Sequence, residues 1–105
     1  MTLRLRTRES GDVREFAFDR TEISVGRGAF NDIVLEGAPG SDVLGRLTTG
    51  EALQFRSEPA GVATSVLRDG TCISTVGAET TATLELRVGD VVRFGAEGDW
   101  AFEIL

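Results

Sequence analysis

The sequence predicts an all-β sandwich of short, mostly antiparallel strands. Three observations lead there. Apolar residues repeatedly alternate with charged or polar ones, the period of a strand with one buried face. Gly, Asp or Pro bounds most of these runs, and turn signals recur about every 8 to 12 residues, the spacing of a sandwich or barrel. No stretch sustains the period of a long helix.

The elements follow in chain order. Leu3 and Leu5 alternate with Arg4 and Arg6, so the first strand should bury one face and solvate the other. Residues 8–12, RESGD, turn the chain into a second strand carrying Val13, Phe16 and Phe18, and Asp19-Arg20 breaks it again. Ile23 and Val25 lead to a polar, glycine-containing turn, and Ile33, Val34 and Leu35 resume strand character beyond it. Further strands are expected over residues 52–56, 62–67, 72–76, 82–86, 91–95 and 100–105. Gly26, Gly28, Gly37, Gly40, Gly45 and Gly50 crowd the first half, so the loops between residues 26 and 50 are expected to need positive φ or close backbone approach and to form one end of the sandwich. Trp100 and Phe102, with Phe94 on the strand before, read as core.

A chain of 105 residues has the size of one domain, and 41% hydrophobic with 27% charged residues is the composition of a folded globular chain. One domain over residues 1–105 is expected. No window approaches the roughly eighteen apolar residues of a membrane span, and the N-terminus lacks the apolar core of a signal peptide. The expectation is a cytoplasmic protein with no membrane partner. Cys72 alone cannot close an intrachain disulfide, and without histidine a zinc site lacks its usual ligands, so neither a metal nor another cofactor is expected. A net charge of −6 disfavours nucleic acid as partner. All eleven basic residues are arginine, the better side chain for a two-pronged grip on an oxyanion.

Catalysis finds little support. Residues 26–37, GRGAFNDIVLEG, lack the Gly-Lys-Ser/Thr of a phosphate-binding loop ahead of a helix. Asp90, after Gly89, reads as a turn residue with no acidic neighbour. Cys72 between Thr71 and Ile73 reads as a buried strand cysteine. No catalytic residue is expected, and the chain reads as a non-enzyme.

Four separated segments resemble the forkhead-associated (FHA) domain. Residues 23–35, ISVGRGAFNDIVL, are similar to its Gly-Arg turn followed by Asn-Asp-Ile-Val-Leu; residues 40–47, GSDVLGRL, are similar to its Ser-x-x-His motif, with Ser41 on the serine and Leu44 on the histidine. Residues 67–73, LRDGTCI, resemble its Asn-Gly-Thr turn with Asp69 at the asparagine, and residues 86–95, LRVGDVVRFG, resemble the Gly-Asp turn before its last strands. The resemblance implies an FHA-like (SMAD/FHA) sandwich and a protein-interaction module that binds phosphothreonine proteins or peptides with loops at one end. Arg27 would present its guanidinium to two phosphate oxygens, Ser41 a hydroxyl, Gly28 a backbone N–H, and the Asp69 turn would hold neighbouring peptide residues.

Departures from the pattern argue for weakened or altered recognition. Asp42 sits where the family often carries a basic residue, and a carboxylate repels a dianion. Asp69 accepts hydrogen bonds but cannot donate as an amide would. Leu44 is expected to fill the histidine's volume as a core residue, and Thr71 to tie the Asp69 turn to a neighbouring strand. Two alternatives stay open: Arg27 pairs with Asp32 or Asp42 and only fixes loop geometry, or the sandwich binds an unphosphorylated protein partner.

Overall fold

The computed structural model describes residues 2–95 and 99–105; the domain expected over residues 1–105 also takes in Met1 and residues 96–98, which lie outside the described residues. Eleven strands form among the described residues, in the order β1 (Leu3–Glu9), β2 (Asp12–Phe18), β3 (Glu22–Gly26), β4 (Ile33–Val34), β5 (Gly45–Thr48), β6 (Leu53–Ser57), β7 (Thr64–Arg68), β8 (Thr71–Val76), β9 (Ala82–Leu86), β10 (Val91–Phe94) and β11 (Trp100–Ile104). They make two stacked sheets. One runs β2-β1-β11-β10-β7-β8 and the other β4-β3-β5-β6-β9. Every pairing is antiparallel except β3 with β4. The all-β, mostly antiparallel sandwich is therefore as expected, and no helix long and apolar enough to cross a membrane is present among the described residues.

Alternation sets the faces. In β1, Leu3, Leu5 and Thr7 are buried while Arg4, Arg6 and Arg8 face water, as period two requires. The core between the sheets centres on three rings. Phe55 of β6 meets Phe94 of β10 and Phe102 of β11 at centroid separations of 5.9 and 5.5 Å, and the latter two lie 6.0 Å apart. Tilted and edge-on contacts of this kind place the positive rim of one ring against the negative face of another. Gly45 makes room for them: a Cβ there would stand 2.2 Å from the Phe55 ring. Leu44, beside it, is buried in the same cluster, as expected of a core residue. Trp100 packs against the cluster only partly buried.

The ends of the sandwich differ in character. Because β3 antiparallels β5 with Val25 opposite Gly45, and β5 antiparallels β6 with Gly45 opposite Ser57, the segments 27–32, 35–44 and 58–63 all emerge at one tip. The start of β9 joins them, since Ser57 lies opposite Ala82. At the opposite end lies Asp90, which turns the chain as expected but is also buried. Arg68 Nε and Nη2 donate to its two oxygens at 2.9 and 2.8 Å, and the Arg87 N–H donates at 2.8 Å. The bidentate Arg68 contact, with the Arg87 N–H, holds the Asp90 carboxyl below the usual carboxylate range despite burial.

Two predictions follow from this packing. Phe55→Ala should cost about 3 to 5 kcal/mol in urea unfolding, from lost burial and the cavity left behind. Because the Asp90 carboxyl titrates lower in the folded chain than in the unfolded one, its stabilisation is full above about pH 4 and is lost as pH falls through the depressed native value. Asp90→Asn should flatten that acid limb, read as the urea midpoint against pH.

Candidate phosphate-binding loop tip

The tip is built on a close crossing of two loops. Gly26 ends β3 against the loop that leads into β5, where a Cβ would stand 2.1 Å from the Asp42 carbonyl oxygen and 2.8 Å from the Val43 Cα. No other residue fits without moving backbone. Asn31, buried beneath, fastens the two loops: its Nδ2 donates to the Gly28 carbonyl at 2.8 Å and to the Asp42 carbonyl at 2.7 Å. The Gly28 N–H donates to the same Asp42 carbonyl at 3.0 Å. Leu44 N–H to the Val25 carbonyl and Leu35 N–H to the Gly26 carbonyl, both 2.8 Å, complete the frame. Nothing in the sequence motif marked Asn31 as the fastener.

Arg27 leaves this frame into solvent. Its Nη2 lies 3.6 Å from Asp42 Oδ1, with side-chain exposures of 48% and 65%. An ion pair that open to water contributes about 0 to 1 kcal/mol, so the guanidinium is held loosely and stays accessible. Asp32, the other carboxylate considered for it, is engaged elsewhere. It accepts from the Ser24 N–H at 2.9 Å and pairs with Arg20. Burial opposes its ionisation, yet these contacts hold its carboxyl below the ordinary range. Ser41 is exposed one residue before Asp42, on the same loop as the carboxylate that faces Arg27. Phe30 stands 70% exposed at the tip, with its ring 2.5 Å from where a Gly28 Cβ would be. The Gly28 amide is committed to the Asp42 carbonyl, so this N–H does not stand free for a ligand.

Asp69 is not part of this grouping. Asp69-Gly70 forms the two-residue turn between β7 and β8, with φ of 52° and 79°, the backbone of a tight primed hairpin. It sits at the far end of β7, a five-residue strand whose start lies at the loop tip, hence about 17 Å away along the strand. Thr71 pairs with Arg68 across that hairpin. The third loop at the tip is instead residues 58–63. The Ser41 N–H donates to the Ala60 carbonyl at 2.9 Å, and the Ala60 and Gly61 N–H groups both donate to the Ala78 carbonyl. Gly40, at φ +93°, permits the approach, for a Cβ would meet the Ala60 carbonyl at 2.6 Å. Pro59 and Gly61 were the sequence signal for this turn, but the Asp-Gly-Thr motif drew the assignment away.

Cys72 is exposed, which corrects the expectation of a buried strand cysteine: it lies on edge strand β8 with its side chain on the outer face. Hydrogen bonding from Thr75 leads the causes that lower its thiol pKa. Among the described residues no cluster of His, Cys, Asp or Glu suited to a metal ion occurs.

No protein-family model matches the chain, and no curated protein sequence matches it. Solved structures do. The FHA domain of the CT664 protein from Chlamydia trachomatis superposes with a TM-score of 0.73 at 19% identity, covering 100% of this chain and 97% of that one. The FhaA FHA domain, solved in complex with the intracellular domain of Rv3910, gives 0.71 at 16% identity over 98% and 99% of the two chains. Mycobacterium tuberculosis EmbR, solved with a low-affinity phosphopeptide, gives 0.69 at 18% identity over 96% of this chain and 24% of EmbR.

The loop crossing should be sensitive to the chemistry at residue 31. Asn31→Asp replaces a double donor by an acceptor facing two carbonyl oxygens, and should destabilise the chain by more than the roughly 2 kcal/mol expected for Asn31→Ala. Urea unfolding orders the two variants, and faster amide exchange at Gly28 would show that the damage is at the tip.

Proposed function

On the FHA fold, which the chain shares with these structures, we propose that it is a non-catalytic interaction module that takes a phosphothreonine-bearing segment of a partner protein at the loop tip, with weakened phosphate recognition. The observation that carries this reading is the exposed Arg27 guanidinium, held among the described residues by a solvated carboxylate next to Ser41 in the chain. A phosphate dianion offers that guanidinium two oxygens in a geometry it can grip with two parallel N–H bonds. Ser41 supplies a hydroxyl to a third oxygen. Phe30 offers an apolar surface to a flanking peptide residue.

Weakness has two sources. The Asp42 carboxylate must lose its contact with Arg27 and then sits near the incoming dianion. The loop next to Ser41 presents Ala60, Gly61 and Val62, none of which carries a side-chain amide for the peptide backbone. Asp69, at the opposite end, takes no part. A phosphate-independent protein-binding role is favoured by one of these same facts, that Asp42 already provides Arg27 with a counter-charge.

Titration of fluorescent phosphothreonine peptides against their unphosphorylated counterparts tests the reading. Phosphate-dependent binding is expected, weakened 10- to 100-fold by Arg27→Ala, the scale of about 1.5 to 3 kcal/mol for hydrogen bonds to charged groups. Asp42→Ser should strengthen binding, and Asp69→Ala should leave it unchanged. Equal affinity for both peptides would replace the reading with the phosphate-independent one.

A further inference from the structure

A second group of arginines lies outside the tip loops, on the solvent face of the six-stranded sheet. Register puts Ala101 of β11 directly between Arg8 of β1 and Arg93 of β10. Two strand spacings, about 10 Å, separate the arginine backbones, so their long side chains can converge above the methyl group of Ala101. The next row, Arg6, Glu103, Val91 and Leu67, follows the same cross-strand line. Together these rows line a cavity of about 290 Å³.

The charges in it are unevenly satisfied. Arg6 is bracketed by Glu15 and Glu103 at 3.6 and 3.7 Å. Arg93 is different: its Nε is shielded from solvent and has no hydrogen-bond partner among the described residues. A shielded donor of a permanently charged group is costly to leave unmade. In a molecule of net charge −6, a cavity with arginines at its rim and an apolar floor has a local sign opposite to the whole.

We propose that this face is a docking site for an acidic-apolar segment of a partner protein, a carboxylate side chain bridging Arg8 and Arg93 while a neighbouring apolar side chain covers Val91 and Leu67. Charge complementarity selects the carboxylate. The apolar floor selects a segment over a bare anion, since an ion alone would leave Val91 and Leu67 uncovered. A second copy of this chain is disfavoured by the mutual repulsion of two net-negative molecules. The site shares no residue with the loop tip and stands independently of the function proposed there.

Amide chemical shifts of the isotopically labelled chain provide the test, with N-acetyl-Leu-Glu-Leu-amide as probe and its Gln counterpart and inorganic phosphate as controls. Saturable shifts at Arg8, Arg93 and Ala101 are expected with the Glu peptide, at least fivefold weaker with the Gln peptide, and weakened at least threefold by Arg8→Gln and by Arg93→Gln. If Arg93→Gln fails to fold, Arg8→Gln decides, because Arg8 is exposed. No shift, equal response to both peptides, the same response to phosphate alone, or shifts that grow with protein concentration without peptide would each overturn the proposal.

Discussion

Two loops from different strand connections can share one spot at the tip because residue 26 has no side chain and residue 31 has the right one. Removal of a single Cβ lets the Asp42 carbonyl come down on the end of β3. That approach brings two carbonyl oxygens, from Gly28 and Asp42, within reach of one buried amide. The Asn31 amide group is a double donor, and two acceptors that would otherwise repel each other are joined through it. The loops that carry Arg27 and Ser41 are brought together by this crossing; neither side chain makes it. The side chains that face solvent at the tip are thus positioned by one that does not.

Two of the arginine–aspartate pairs show how surroundings turn the same chemistry to different ends. Arg68 and Asp90 meet through two parallel hydrogen bonds with the carboxylate buried. Such a pair is costly to break, because the remaining charge would be stranded away from water. Arg27 and Asp42 face each other across 3.6 Å in the open, where water competes for both. The first pair anchors a turn, whereas the second leaves its cation exchangeable. Along edge strand β2 and the turn after it, guanidiniums serve in a third way. Arg14 and Arg20 lie over the rings of Phe16 and Phe18, 5.2 and 5.6 Å from their centroids, and so cover aromatic surface that an edge strand cannot bury.

The strands were legible in the sequence because alternation is a local property. Leu3, Leu5 and the arginines between them announce their faces without knowledge of any partner strand. Boundaries moved by a residue or two where turns were apolar, as at Val62 and Ala63, which read as strand but lie in the loop before β7. The grouping of loops at the tip was legible only where the motif and the topology agreed. Arg27 and Ser41 fall on loops whose common location follows from the antiparallel pairing of β3 with β5. Asp69 misled because Asp-Gly between two strand-forming runs specifies a turn but not which end of the sandwich the turn occupies. That depends on how many strands intervene, and the 58–63 loop had to be recognised first. Arg68 with Asp90 was invisible for a related reason: twenty-two positions separate two residues that only the pairing of β7 with β10 brings together.

The pairing of β1 with β11 sets Leu5 opposite Ile104, so the middle of the larger sheet joins residues from nearly opposite ends of the sequence. Hairpins such as β1 with β2 and β7 with β8 form over short loops and can appear early, but neither buries the aromatic cluster. Phe102 reaches Phe55 only after β11 has been inserted between β1 and β10, a contact whose chain-closure entropy must be met before it stabilises anything. Folding of this chain is accordingly expected to be slow for its length and strongly cooperative, with β11 as the keystone strand whose arrival converts a set of fluctuating hairpins into a closed sandwich.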